Sequence, residues 1–344
     1  MNMMKAAVLG ASGYAGGELV RLLDAHPGFD LVHLGAHSNE GSRLADVHPH
    51  LDGGERVLGG NDAGAIPSDI EIVFLALPHG ASWKIGEELS AAGLSVVDLG
   101  SDYRLDTDER YRAAYGEPHP LPDRLGEWRY GLPELFDLSG ATRVASPGCY
   151  PTAVLLAIAP LVGAGVVDIS TPIVADCMSG VSGAGRGLKD NLLFGSVAEG
   201  VQAYSVTRHR HRPEIEMAIT QATGNEAQVV FTPHLVPMQR GELATVTARL
   251  STELSNAEAT EILDQAYAGR PFVTVIDRPP QTRWAVSSNR AFVAAFVDRA
   301  TGVVIAQAAI DNLVKGAAGQ AIQAANVMYG LPEETGLPVS GWMP

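Results

Sequence analysis

Three glycines near the start of the chain constrain its fold more than any other feature. Gly10, Gly13 and Gly16 stand between residues 5–9, an apolar run typical of a buried strand, and residues 17–23, which have helical periodicity. Glycine allows a sharp turn and a close backbone approach to a pyrophosphate, and a helix N-terminus adds free N–H groups. This unit predicts a dinucleotide site, although helix–strand packing alone could also demand the glycines. The residues assigned to the site are Gly10, Ser12, Gly13, Tyr14, Ala15 and Gly16.

The pattern that follows alternates strands with helices, which predicts a parallel sheet. Its further strand-like segments are residues 31–36, 70–77, 95–99 and 143–146. Residues 107–138 have no clear periodicity and are predicted to form long loops over a site. Beyond residue 166 the sequence pattern changes, and the segments there resemble strands of a mostly antiparallel sheet. These segments are residues 172–176, 228–232, 243–250, 272–276 and 291–298.

The predicted fold class is α/β, with an N-terminal Rossmann-type dinucleotide-binding domain and a second, α+β domain. The first domain comprises residues 1–146 and 312–344, because the Ala-rich helix expected at 312–329 is predicted to pack back on it. Residues 147–311 form the second domain.

Composition excludes several classes of function. A net charge of −15 argues against nucleic acid and anionic membranes as partners. The absence of an apolar run of about 18 residues argues against a membrane span. Two cysteines without an export signal predict reduced thiols in a cytoplasmic protein. The pair in His48-Pro49-His50 lacks a third ligand nearby, so no metal site is predicted.

The end of the second strand bears on the choice of cofactor. An NAD site usually has an acid there, bonded to the ribose 2′-hydroxyl. This chain continues from Gly35 through Ser38 to Arg43, with no acid at the strand tip. Ser38 and Arg43 suit a 2′-phosphate, so NADP is predicted, although a plain polar loop would equally account for Arg43. Glu40 is the nearby residue that would weaken this preference if it turned inward.

Cys149 is the candidate nucleophile. It lies in Pro147-Gly148-Cys149-Tyr150-Pro151-Thr152, where a strand is expected to pass into a helix. A thiol at a helix N-terminus has a lowered pKa, and the same N–H groups can hold an oxyanion. Cys177, within an apolar strand, is predicted to be an inert core residue.

Cations concentrate in two places in this acidic chain. Residues 208–212 (RHRHR) could attract an anion and place an imidazole beside it, although a solvated basic loop is the alternative. Arg104 follows a parallel strand at its carboxyl end, where such sheets bind ligands, although a surface ion pair is equally compatible. The Gly/Ser-rich residues 180–186 could wrap the nicotinamide end of a cofactor, or form only a turn.

Together these segments resemble the N-acetyl-γ-glutamyl-phosphate reductase family of arginine biosynthesis, over nearly the whole chain. The matching segments are Gly10 to Gly16, Leu75 to Gly80, Asp102 to Leu105, Tyr130 to Glu134, Pro147 to Thr152, His209 to Ile215 and Asp311 to Gln320. The cysteine and His-x-His segments are the most specific.

The resemblance implies roles for particular residues. Cys149 would be the nucleophile, and His211, or less favourably His209, the acid/base. Cofactor contacts would include Pro78, Ser182, Gly183 and Asn312. Substrate contacts would be Arg104, Arg208, Arg212 and Glu214. The second domain would carry catalysis and self-association, giving a homodimer or homotetramer, in a fold similar to that of aspartate-semialdehyde dehydrogenase.

The predicted reaction is the NADPH-dependent reduction of N-acetyl-L-glutamyl 5-phosphate, a small acyl phosphate, to its semialdehyde through a Cys149 thioester. A reductase of carrier-protein-linked aminoadipyl phosphate in lysine biosynthesis is a competing function, which the motifs barely separate from the first. The charge of −15 disfavours docking of an acidic carrier. A hydroxy-acid dehydrogenase, which needs no cysteine, and an NADP-binding redox sensor without turnover are also compatible with a dinucleotide-binding turn.

Overall fold

The computed structural model describes residues 3–343. The strands are β1 (Met4–Leu9), β2 (Phe29–Gly35), β3 (Ile72–Leu75), β4 (Ser95–Asp98), β5 (Arg129–Tyr130), β6 (Arg143–Ala145), β7 (Ile173–Gly180), β8 (Gln202–Ala203), β9 (Val229–Val236), β10 (Glu242–Arg249), β11 (Val273–Val275), β12 (Ala291–Asp298) and β13 (Val303–Ile310). The α-helices are α1 (Tyr14–Leu23), α2 (Leu44–Val47), α3 (Ser82–Ala91), α4 (Asp108–Tyr115), α5 (Cys149–Gly163), α6 (Phe194–Val197), α7 (His211–Thr223), α8 (Asn256–Ala266), α9 (Thr282–Ala285) and α10 (Gly319–Met328).

The first sheet is parallel throughout, with strand order β2-β1-β3-β4-β6-β5. Successive side chains of β1 point to opposite faces, so Ala7 and Leu9 join one hydrophobic core while Ala6 and Val8 join another. Helices α1 and α10 cover the second of these faces. The C-terminal helix therefore packs on the first sheet, and both faces are buried, as apolar parallel strands require.

The second sheet is mixed, so the prediction of a mostly antiparallel sheet is wrong. Its order is β11-β12-β13-β10-β7-β9-β8, and the pairs β7–β9 and β11–β12 are parallel. The connection from β7 to β9 contains α7, and a crossover of this kind returns the chain to the same end of the sheet. Helix α5 packs against β10, β12 and β13, which gives this sheet its own buried face.

Residues 107–138 are more ordered than the predicted long loops. Thr107 caps α4 by accepting a hydrogen bond from the N–H of Arg110, and Gly116, at φ +81°, ends the helix in the left-handed region. Tyr111 of α4 is buried in the core beside the first sheet. Only one apolar residue of the helix is buried in this way, so hydrophobic periodicity could not reveal α4.

A buried ion pair fixes the segment between β13 and α10. Residues Val314–Ala318 form one turn of π-helix, a geometry often found at functional sites. Within it, the fully buried Lys315 donates from Nζ to Glu134 Oε1 at 2.6 Å and to Gln323 Oε1 at 2.8 Å. Burial lowers the pKa of Lys315, although Glu134 acts in the opposite direction.

Removing one partner of this pair should be costly. Lys315→Ala would leave Glu134 buried without its cation, a change that typically costs about 3–5 kcal/mol of unfolding free energy. Urea denaturation followed by circular dichroism measures the loss. The matched control is Lys84→Ala, because the Lys84 side chain is 73% exposed and lies 3.9 Å from its carboxylate partner, Glu88. Equal denaturation midpoints for the two variants would contradict a structural role for the buried pair.

Candidate active site

The turn between β1 and α1 leaves no room for a side chain at Gly10 or Gly16. Gly10 has φ +86°, and a Cβ there would lie 2.3 Å from the carbonyl oxygen of Ala76. A Cβ on Gly16 would lie 2.1 Å from the carbonyl oxygen of Gly10. Within the described residues no side chain caps α1 at Gly13, so its first N–H groups remain available to a ligand. This cradle fits the pyrophosphate of a dinucleotide.

A cavity of about 560 Å³ opens beside this turn. Tyr14 lines one side of it, while Ser182 and Arg186 line the other side from the second half of the chain. Arg186 also donates to the carbonyl oxygen of Ser12 at 3.1 Å. Ser182 Oγ accepts a hydrogen bond from Asn312 at 3.0 Å, and Gly183 packs close to the same amide. The structure therefore brings Ser182, Gly183 and Asn312, three of the predicted cofactor residues, together.

The other predicted cofactor residues lie around the first sheet. Ser38 is exposed in the loop after β2, and Arg43 precedes α2 with only a distant carboxylate partner, Glu55 at 3.9 Å. Pro78 follows β3 and is exposed. Glu40, the acid that could oppose a 2′-phosphate, is also exposed.

Cys149 is the first residue of α5 and lines a second cavity, of about 620 Å³. The two cavities share Lys189 and Leu192 in their walls, so they adjoin. Gly316 of the π-helical turn packs against the cysteine, because a Cβ on it would lie 2.7 Å from Cys149 Cβ. Cys177 is fully buried in β7 and outside both cavities.

His211 and Arg104 lie against Gly148, the residue before Cys149. A Cβ on Gly148 would lie 2.5 Å from His211 Nε2 and 2.9 Å from Arg104 Nη1, so only glycine fits. His211 is buried, and its Nδ1 has no hydrogen-bond partner among the described residues. Burial, with help from His209 and Arg104, lowers the pKa of His211 well below its ordinary value, so the imidazole is neutral.

Arg104 and Glu214 hold the segment before Cys149 in place. Arg104 donates to the carbonyl oxygens of Ser146 and Leu99, each at 2.8 Å, and lies 3.6 Å from Glu214. Glu214 accepts from the N–H of Gly148 at 2.9 Å. The buried Arg104 is therefore bound to the backbone, and only part of its guanidinium could reach a substrate.

The basic segment divides between two surfaces. Arg208, His209 and Arg210 line the Cys149 cavity, whereas the exposed Arg212 faces a separate surface cleft beside Glu216. Residues 211 and 212 are neighbours in α7 and so point to different sides of the helix. Burial, followed by the charge of Arg210, lowers the pKa of His209 to about 4.

A buried carboxylate beside the thiol corrects one expectation. Burial and then Glu242 raise the pKa of Cys149 well above its ordinary value, although the N–H of Tyr150 and Arg104 act to lower it. The predicted depression of the pKa of Cys149 is therefore wrong. Burial raises the pKa of Glu242 itself to about 8.

Glu242 was not among the predicted site residues, but the sequence contains a signal for it. In β10 the buried positions are 242, 244, 246 and 248, and three of them carry Ala or Val. An acid in the inward-facing register of an alternating strand is unusual, because a buried charge is costly. Neither oxygen of Glu242 has a hydrogen-bond partner within the described residues.

Residues 3–343 offer neither a metal centre nor a membrane span. No group of three or more His, Cys, Asp or Glu side chains there is arranged to hold a metal ion. No helix in this part of the chain is both long and apolar enough to cross a membrane.

Comparison with known proteins defines the class of this fold and site. Residues 5–141 match the semialdehyde dehydrogenase NAD binding domain, and residues 149–312 match the semialdehyde dehydrogenase dimerisation domain. Among solved structures, aspartate semialdehyde dehydrogenase II of Vibrio cholerae, complexed with ASA, superposes with a TM-score of 0.72. It is 18% identical and matches over 95% of this chain and 98% of its own. Aspartate semialdehyde dehydrogenase with NADP from Candida albicans gives a TM-score of 0.67 at 18% identity, covering 95% of this chain and 98% of its own.

Relatives with higher sequence identity show which family within this class the chain belongs to. N-acetyl-gamma-glutamyl-phosphate reductase of Heliobacterium modesticaldum is 44% identical over 99% of this chain and 100% of the relative. The reductase of the same name from Salinispora tropica is 46% identical over 99% of both chains. The chain belongs to the N-acetyl-gamma-glutamyl-phosphate reductase family. The sequence-based identification of the family and of a nicotinamide dinucleotide cofactor is thereby confirmed.

The two cysteines should differ sharply towards a thiol reagent. Cys149 is half-buried and lines an open cavity, while Cys177 is completely buried, and burial raises its pKa well above the ordinary value. Iodoacetamide, followed by peptide mass mapping, should therefore label Cys149 first. Because burial also raises the pKa of Cys149, labelling should accelerate steeply above neutral pH. Faster modification of Cys177 would contradict this arrangement.

Proposed function

We propose that this chain catalyses the NADPH-dependent reduction of N-acetyl-L-glutamyl 5-phosphate to N-acetyl-L-glutamate 5-semialdehyde and phosphate. The observation that carries the proposal is the position of Cys149, at the start of a helix and open to a cavity with a basic wall. Relatives that match over the full chain and carry the name of this reaction support it.

The cofactor would lie across the first sheet. The cradle of Gly10, Gly13 and Gly16 suits the pyrophosphate, and Ser38 with Arg43 suits the 2′-phosphate that distinguishes NADP. The Ser182–Asn312 pair suits the nicotinamide end. When bound, the reduced nicotinamide supplies the hydride that converts a thioester into a thiohemiacetal. Residues 1–146 and 312–344 would form this NADP-binding domain, and residues 147–311 the catalytic and oligomerisation domain.

Cys149 performs the covalent step. Its thiol loses a proton to Glu242, and the sulfur attacks the acyl carbon while phosphate leaves, which forms the thioester. Glu242 is suited to accept this proton because its pKa, raised by burial to about 8, lies close to the working range of a general base. When the thiohemiacetal collapses, the same proton returns to the departing sulfur.

His211 acts on the oxygen of the reacting group. It lies against Gly148, next to the nucleophile, with its Nδ1 free of protein partners among the described residues. The negative charge that develops on the thiohemiacetal oxygen favours protonation of an adjacent imidazole, so His211 can hold a proton at that oxygen. His209 Nδ1 accepts a hydrogen bond from the backbone N–H of His211 at 3.2 Å and so supports it.

The basic wall of the Cys149 cavity would bind the substrate. Arg208 and Arg210 offer guanidinium groups to the phosphate and the α-carboxylate. Arg104 and Glu214 contribute mainly by positioning the nucleophile loop, and Arg212, outside the cavity, is excluded from the substrate contacts. The protein would form a homodimer or homotetramer through the second domain, and the match to a dimerisation domain supports self-association. It would work in the cytoplasm.

An assay in the reverse direction tests the proposal. With phosphate and NADP, N-acetylglutamate semialdehyde should be oxidised faster than aspartate or aminoadipate semialdehyde, and NADP should be preferred to NAD. Cys149→Ser should abolish turnover but still bind NADPH, because the cofactor cradle is separate from the thiol. Cys177→Ala serves as the control and should remain active.

Two outcomes would count against this function. Full activity of Cys149→Ser would favour a dehydrogenase that needs no cysteine. NADPH binding without turnover of any of the three semialdehydes would favour a redox sensor.

The pH dependence tests the role of Glu242. A carboxyl group with a pKa of about 8 is protonated well below that pH and cannot accept the thiol proton, whereas above pH 8 it is ionised. The value of kcat/KM should therefore rise as the pH increases through about 8. Glu242→Gln should remove this rise and lower kcat by roughly 10²–10⁴-fold. An unchanged pH profile in Glu242→Gln would exclude it as the proton acceptor.

A further inference from the structure

His79 forms a hydrogen-bonded dyad with a buried carboxylate. It follows β3, and its Nδ1 lies 2.8 Å from Asp102 Oδ1 and 3.0 Å from Ser101 Oγ. Its ring stacks on Tyr115, with ring centroids 4.0 Å apart and planes tilted by 17°. Because Nδ1 is held by these partners, Nε2 is the ring nitrogen left for a ligand.

Asp102 is built to remain ionised although it is fully buried. It accepts hydrogen bonds from the backbone N–H groups of Gly80, Ser82 and Trp83 at 2.8–3.1 Å, at the N-terminus of α3. Burial acts to raise the pKa of Asp102, but the hydrogen bonds from His79 and these groups hold it below its ordinary value.

A second buried carboxyl group, that of Asp98, lies close to Asp102, and comparing the two shows which of them carries the negative charge. Ser82 Oγ lies 2.8 Å from Asp98 and 3.0 Å from Asp102, so the hydroxyl links the two acids. Burial and then the charge of Asp102 raise the pKa of Asp98 to about 7. The two environments shift the pKa values of the acids in opposite directions, so the negative charge resides on Asp102, which faces His79.

His79 lines the same cavity as Cys149 and the two arginines of the basic wall. The remaining imidazoles in that wall, His209 and His211, are neutral because burial lowers the pKa of each. Among the described histidines of the cavity, His79 alone contacts a carboxylate. Expelling phosphate from an acyl phosphate places new negative charge on an oxygen, which a neighbouring proton donor stabilises.

We propose that His79, positioned by Asp102, is the acid that serves the departing phosphate, so that the site uses one histidine for phosphate and another for the hydride step. The bond between Cys149 Sγ and the acyl carbon forms, the bond from that carbon to the phosphate oxygen breaks, and the Nε2 proton of His79 passes to the phosphate. In the reverse direction His79 takes this proton back as phosphate attacks the thioester.

This inference rests on the proposed function. Measuring the two half-reactions separately distinguishes a failure of the inference from a failure of the proposed function. With N-acetylglutamate semialdehyde and NADP but no phosphate, the wild-type protein should give a burst of NADPH as the thioester accumulates. Addition of phosphate should then start steady turnover. A wild-type protein without a burst would refute the proposed function before the role of His79 is reached.

His79→Gln should keep the burst rate and amplitude but slow phosphate-dependent turnover by roughly 10²–10⁴-fold. Asp102→Asn should lower phosphate-dependent turnover less and also keep the burst. The matched control is His33→Gln, because His33 lies outside both cavities and contacts the carbonyl oxygen of Gly60. Thermal unfolding curves should show that the variants fold.

The split between kcat and KM gives a readout that a merely structural role would not produce. In phosphate-dependent turnover, His79→Gln should lower kcat while the KM for N-acetylglutamate semialdehyde stays near the wild-type value, and Asp102→Asn should lower kcat less.

Three results would overturn the proposal. Turnover and KM for phosphate within about twofold of wild type in His79→Gln would make the residue a spectator, since a general acid contributes far more than this. Loss of the burst with normal NADPH binding would assign His79 a role in the hydride step instead. A raised dissociation constant for NADPH with normal phosphate kinetics at saturating cofactor would make it a cofactor ligand.

Discussion

The buried carboxylate of Glu214 joins the chain segments on which the site depends. One of its oxygens accepts from the N–H of Gly148 and the hydroxyl of Tyr130, and the second faces Arg104. Arg104 in turn bonds to the backbone at the ends of β4 and β6. The end of the first sheet, the start of α5 and the start of α7 are thereby held together. Because each hydrogen bond satisfies a polar group that is cut off from water, removing any one of them leaves a buried group without its partner.

The surroundings of Cys149 favour its thiol form. Cys149 packs against a hydrophobic core, so its ionised form is poorly solvated. Glu242 adds an acid that shares the same buried environment. A helix N-terminus alone does not overcome these two effects.

The cavity beside the glycine turn depends on contacts between the two halves of the chain. Arg240, which follows β9, pairs with Glu18 of α1 and lies 3.1 Å from Asp311. Asp311 accepts from the N–H groups of Leu313 and Val314 and so begins the π-helical turn that packs on Cys149. Polar contacts through Arg240 and Asp311 therefore connect α1, which follows the glycine turn, to the π-helical turn that packs on Cys149.

Local sequence determined the glycine turn, the parallel first sheet, the position of Cys149 at a helix start and the family, because turn chemistry, hydrophobic periodicity and short motifs are properties of neighbouring residues. Only the tertiary structure decided the mixed order of the second sheet, the exclusion of Arg212 from the cavity and the pKa of Cys149. It also placed Glu242 against the thiol and His79 against Asp102. These features depend on residues distant in the chain, and burial, which sets the pKa of each acid and base, exists only after the two sheets have packed around α5.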